Sequence, residues 1–79
     1  MITKETIQQL IAKALPHTQL EVRGDDGTHF EAEVVSPAFE GLSRVKQHQL
    51  VYATLGERML TGEIHALALT TYAPSQWTS

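Results

Sequence analysis

Apolar positions near the start of the chain recur with the period of a helix. Ile7, Leu10, Ile11, Ala14 and Leu15 fall at i, i+3, i+4, i+7 and i+8, one stripe along a helix over residues 3–15. Thr3 offers a side-chain oxygen as N-cap, and Pro16, which has no N–H, ends the helix. The period then changes to two. Leu20 and Val22 alternate with Gln19, Glu21 and Arg23, and Phe30, Ala32 and Val34 alternate with His29, Glu31 and Glu33. Gly24-Asp25-Asp26-Gly27 lies between the two runs and predicts an antiparallel hairpin, its glycines supplying φ > 0. Ser36, Pro37 and Gly41 break the second strand. Ser43 then caps a second helix over 43–55, with Val45, Tyr52 and Leu55 on its inner side, and Gly56 interrupts it. Residues 57–62 predict a short third helix or turn, residues 64–71 a third, apolar strand, and Pro74-Ser75 a last turn that packs Trp77 against the first helix.

The element order is α-β-β-α-α-β. A third strand parallel to the second needs a crossover, which the two-helix connection provides. All helices then cover one face of a three-stranded mixed sheet, and the other face is partly wet. This is an α/β fold with the KH-like layout of the second topological class, a single domain over residues 1–79.

Composition narrows the chemistry. With 79 residues the domain buries about 60% of the surface its unfolded chain exposes, so stability is modest. There is no cysteine, which excludes disulfides and any thiolate site built from this chain alone. Hydrophobic residues at 42% and charged ones at 19% are ordinary for a globular domain. The net charge of −3 argues against strong non-specific binding to nucleic acid. The stretch MITKETIQQL lacks a basic leader and a long apolar run, and nowhere is there a run long enough to span a membrane, so a cytoplasmic protein is expected.

Candidate sites are few. Gly24-x-x-Gly27 has the letters of the loop by which KH domains approach a phosphate backbone, but it joins two strands and carries two carboxylates that repel phosphate, so a hairpin turn is the better reading. Arg44, Lys46 and His48 form the one local cluster of basic character, at the start of the second helix, where a solvated helix face is the plainer reading. Histidines stand at 17, 29, 48 and 65. His29 begins the second strand and His65 the third. If those strands are parallel neighbours, about 4.8 Å apart, both imidazoles stand at one sheet edge within reach of one metal centre. From spacing alone, two unrelated surface histidines remain the plainer reading. No Ser-His-Asp, Cys-His or paired-carboxylate set points to catalysis.

The stretches THFEAEVVS, FEGLSRVKQHQLVYATL and IHALALTTYAPSQW together resemble the BolA family over nearly the whole chain. The most specific pieces are Phe39-x-Gly41, Val45-x-x-His48 with Val51-Tyr52, and Ile64-His65-Ala66-Leu67. The family's helix signature usually carries Arg just before the histidine, where this chain has Gln47. The resemblance implies the same KH-like fold and a non-enzymatic role. It further implies a monothiol glutaredoxin partner with a CGFS-type site, forming a heterodimer that holds a bridging [2Fe–2S] cluster with glutathione. The partner side would supply a cysteine and the glutathione thiolate, and this chain His65 and His29, the pair reached from sheet geometry. No cofactor is expected in the isolated domain. Two other readings stay open. One is a KH-like nucleic-acid-binding transcriptional regulator acting through Arg44, Lys46 and His48; the other is an interaction module whose histidines are incidental.

Overall fold

A computed structural model describes residues 2–24, 29–62, 64 and 66–77. Helix α1 spans Lys4–Ala14, followed by strands β1 (Gln19–Arg23) and β2 (His29–Val35), helix α2 (Arg44–Leu55) and strand β3 (Ala66–Tyr72). Single 3₁₀ turns at Pro37–Phe39, Gly56–Arg58 and Pro74–Gln76 join or follow these elements. Both helix starts are capped as their sequences predict: Thr6 N–H donates to the Thr3 hydroxyl oxygen at 3.2 Å and Lys46 N–H to that of Ser43 at 3.3 Å. The short third helix or turn is a single 3₁₀ turn. It opens at Gly56, whose φ of +59° is one that residues with a Cβ rarely adopt.

The sheet order is β1-β2-β3, with β2 antiparallel to β1 and parallel to β3. Alternation along the strands puts Val22, Phe30, Ala32, Val34 and Leu67 in the core with Ile7 and Ile11 of α1 and Val51 and Leu55 of α2. Glu21, Arg23, His29, Glu31, Ala66, Ala68 and Thr70 are exposed on the opposite, open face. This is a mixed α/β fold with a three-stranded mixed sheet and both helices against one face.

Two expectations about packing are corrected. Val45 is 65% exposed, not on the inner side of α2, and Gln47 is buried at 1% exposure. The two residues lie about 200° apart around the helix axis, so turning one in turns the other out. Burial of the Gln47 amide is tolerated because it is hydrogen-bonded: Nε2 donates to the Leu42 carbonyl at 3.1 Å, with Gln76 Oε1 and the Phe39 carbonyl at 3.4 and 3.5 Å, and Oε1 accepts from the Thr71 hydroxyl at 2.8 Å. Trp77 also finds a different partner from the first helix. Its ring meets Tyr72 at the end of β3, with centroids 5.8 Å apart and planes tilted by 52°.

Candidate metal centre

Because β2 and β3 run parallel, they start at the same end of the sheet. His29, the first residue of β2, pairs in register with Ala66, the first of β3. Beside them opens a cleft of about 510 Å³ lined by Arg23, Gly24, His29, Phe30, Glu31, Ala66 and Ala68. His29 is exposed there, on the open face. His65 is the residue immediately before Ala66 in the chain, but it lies outside the described residues, as do Asp25, Asp26 and Gly27 of the predicted hairpin turn.

Gly24, at the end of β1, forms part of the cleft wall. Its φ is not positive, so the left-handed conformation expected of the hairpin glycines does not apply here. Close approach accounts for it instead: a Cβ on Gly24 would stand 2.5 Å from Phe30 Cδ1 and 2.8 Å from the His29 carbonyl oxygen. A side chain at this position would therefore press on the backbone that carries the His29 ring.

Charge on the open face follows from strand register. Arg23 stands opposite Glu31, and Glu21 opposite Glu33. The Arg23 guanidinium pairs with both Glu21 and Glu31, the latter at 3.4 Å, with all three side chains more than half exposed. Exposed pairs of this kind contribute at most about 1 kcal/mol each.

Among the described residues, no three His, Cys, Asp or Glu side chains converge as a metal site. His29 brings an imidazole to the edge of the cleft, and the chain has no cysteine, so any thiolate ligand at this edge would have to come from another molecule.

The basic cluster on α2 is arranged differently. Arg44 and Lys46 are in solvent at the start of the helix, and the Arg44 guanidinium lies 5.8 Å from the Tyr72 ring centroid. His48 is half-buried, with Nε2 out of solvent and without a hydrogen-bond partner among the described residues. Arg44 and His48, four residues apart, follow one side of the helix while Lys46 turns away from both, so the three do not form one patch. The residue that the pattern reading missed is Gln47. Its signal was the spacing of Gln47, Val51 and Leu55 at i, i+4 and i+8, which continues the buried stripe of α2.

Comparison with known proteins agrees with this architecture. The family model for BolA-like proteins matches residues 5–76. The chain is 39% identical over 71 residues to the acid stress protein IbaG of Escherichia coli K12, covering 90% of this chain and 83% of that protein. It is 41% identical over 80 residues to human BolA-like protein 1, covering 90% of this chain and 58% of the human protein. The structure of a BolA protein homologue from Coxiella burnetii superposes with a TM-score of 0.80 at 43% identity, covering 95% of both chains. No helix among the described residues is long and apolar enough to cross a membrane. Fold, register and sequence agree on one assignment: the chain is a member of the BolA-like protein family.

Proposed function

We propose that this BolA-like chain is a non-enzymatic cytoplasmic adaptor that pairs with a monothiol glutaredoxin of the CGFS type and shares a bridging [2Fe–2S] cluster with it, in iron–sulfur trafficking or iron homeostasis. His65 and His29 are its two ligands; the glutaredoxin cysteine and the thiolate of glutathione are the others. The observation that carries this reading is the register of His29 with Ala66, the chain neighbour of His65, beside an open cleft. Imidazole in place of thiolate removes negative charge from such a cluster and raises its potential. Imidazole ligates only as the neutral ring, so protons compete with the metal for it and acidification loosens the shared cluster.

The test is co-purification with a CGFS glutaredoxin and glutathione, read by the visible absorbance of the cluster. His65→Ala abolishes the mixed cluster, and His29→Ala weakens it and shifts its spectrum. An unchanged heterodimer spectrum in His65→Ala removes this site from consideration. The second reading, a nucleic-acid-binding regulator, draws on the solvent-exposed Arg44 and Lys46 at the start of α2. It predicts a salt-dependent complex with duplex DNA lost in Arg44→Ala with Lys46→Ala, and binding no tighter than that of an unrelated acidic protein rules it out.

A further inference from the structure

We propose that Tyr52 is a positioning residue for the ligand edge: its hydroxyl holds the first residues of β3 beside His29, so that the imidazole is placed before a cluster is shared. The inference rests on the function proposed above. Its starting point is the direction of the β3 backbone. Ser36 N–H donates to the Tyr72 carbonyl, so Tyr72 turns its backbone groups toward β2. These directions alternate along a strand as the side chains do, so Ala66, Ala68 and Thr70 face β2 as well. Leu67, Leu69 and Thr71 present their N–H and C=O on the far side, where β3 has no neighbouring strand.

Helix α2 ties β3 at both of its ends. At the C-terminal end the Thr71 hydroxyl donates to Gln47 Oε1 at 2.8 Å. At the N-terminal end the Tyr52 hydroxyl donates to the outward Leu67 carbonyl at 3.1 Å. The Tyr52 ring packs against the core, so the hydroxyl is itself held in place. Leu67 is in register with Phe30, and Ala66 with His29. The tied residue thus lies between Ala66 and Ala68, which line the cleft together with His29. His29 is exposed, and its backbone pairs with this tied segment. A ligand whose backbone is ordered beforehand loses less conformational entropy on binding a metal.

The test is Tyr52→Phe, which keeps the ring against the core and removes only the hydroxyl. It is measured beside Trp77→Ala, which trims the contact at the other end of β3. In the metal-free chain, Tyr52→Phe speeds hydrogen exchange of the Ala68 amide, which faces β2, by about fivefold or more. It also moves the His29 imidazole resonance. In the heterodimer with a CGFS glutaredoxin and glutathione, the visible absorbance of the cluster decays several-fold faster than with the parent chain. Trp77→Ala leaves all three at parent values. If Tyr52→Phe matches the parent in Ala68 exchange, in the His29 resonance or in cluster decay, this inference alone is overturned. Equal changes in Trp77→Ala also overturn it, because the effect is then a general loosening of the fold. A parent heterodimer that holds no cluster sinks the proposed function and this inference together.

Discussion

The two ends of the parallel β2–β3 pair are built differently. At the C-terminal end the strands are clasped. Thr18 N–H donates to the Val35 carbonyl at 2.9 Å and Ser36 N–H to the Tyr72 carbonyl at 3.1 Å. The Gln47 amide ties α2 to Thr71 and to Gln76, and Gln76 Oε1 also accepts from the Ala73 N–H at 2.9 Å. Tyr72 carries Trp77 and Arg44. At the N-terminal end, His29 and Ala66 are exposed beside a cleft, and the flanking ion pairs are solvent-screened. Parallel pairing thus gives the same strands two unlike ends: one is tied into the fold by hydrogen bonds, and the other leaves the His29 side chain exposed beside the cleft.

Cutting the side chains that clasp one end should therefore be felt in stability, whereas truncating the exposed His29 at the open end should not. The largest effect is expected for Gln47→Leu. It strands the Thr71 hydroxyl and the Leu42 carbonyl in a buried setting, and unfolding in urea should show a loss of about 2–4 kcal/mol. A loss below about 1 kcal/mol would mean that the amide network is not what holds this end.

Gly24→Ala probes whether the open end has any structural constraint of its own. The new Cβ meets the Phe30 ring and the His29 carbonyl, so a loss of about 1–3 kcal/mol is expected, together with a shifted His29 imidazole resonance. A wild-type resonance would show that the Gly24 contact does not position His29. Trp77→Ala removes a half-buried ring from Tyr72, and the melting transition should report a loss of about 0.5–1.5 kcal/mol, the range for an aromatic pair. His29→Ala should be smallest in stability, within about 0.5 kcal/mol of the parent by urea titration. A larger loss would break the comparison by making His29 part of the framework.

Most of the framework was legible in the chain. The helical stripe ending before Pro16, the caps at Thr3 and Ser43, the alternation in the first two strands and the order of elements all recur in the structure. The third strand runs over Ala66–Tyr72 where 64–71 was expected, because its apolar run carries no stop signal before Pro74. Of the proposed ligand pair, His29 stands where the parallel arrangement required, and His65 lies outside the described residues. Trp77 could not be placed from sequence, since a lone ring after a turn carries no periodicity to say which element it meets.

By itself the sequence determined which segments are helix and which are strand, because side-chain direction along one element depends only on local period. It also determined that any thiolate ligand must come from outside, because the chain has no cysteine. Tertiary structure decided that Gln47 is inside and Val45 outside, since the partners that make a buried amide tolerable come from Phe39, Leu42, Thr71 and Gln76. It decided that Gly24 is needed for close approach and not for φ, because only the fold brings Phe30 against it. And it set Glu21 against Glu33 and His29 against Ala66, because register between strands is a long-range property that no single run of residues contains.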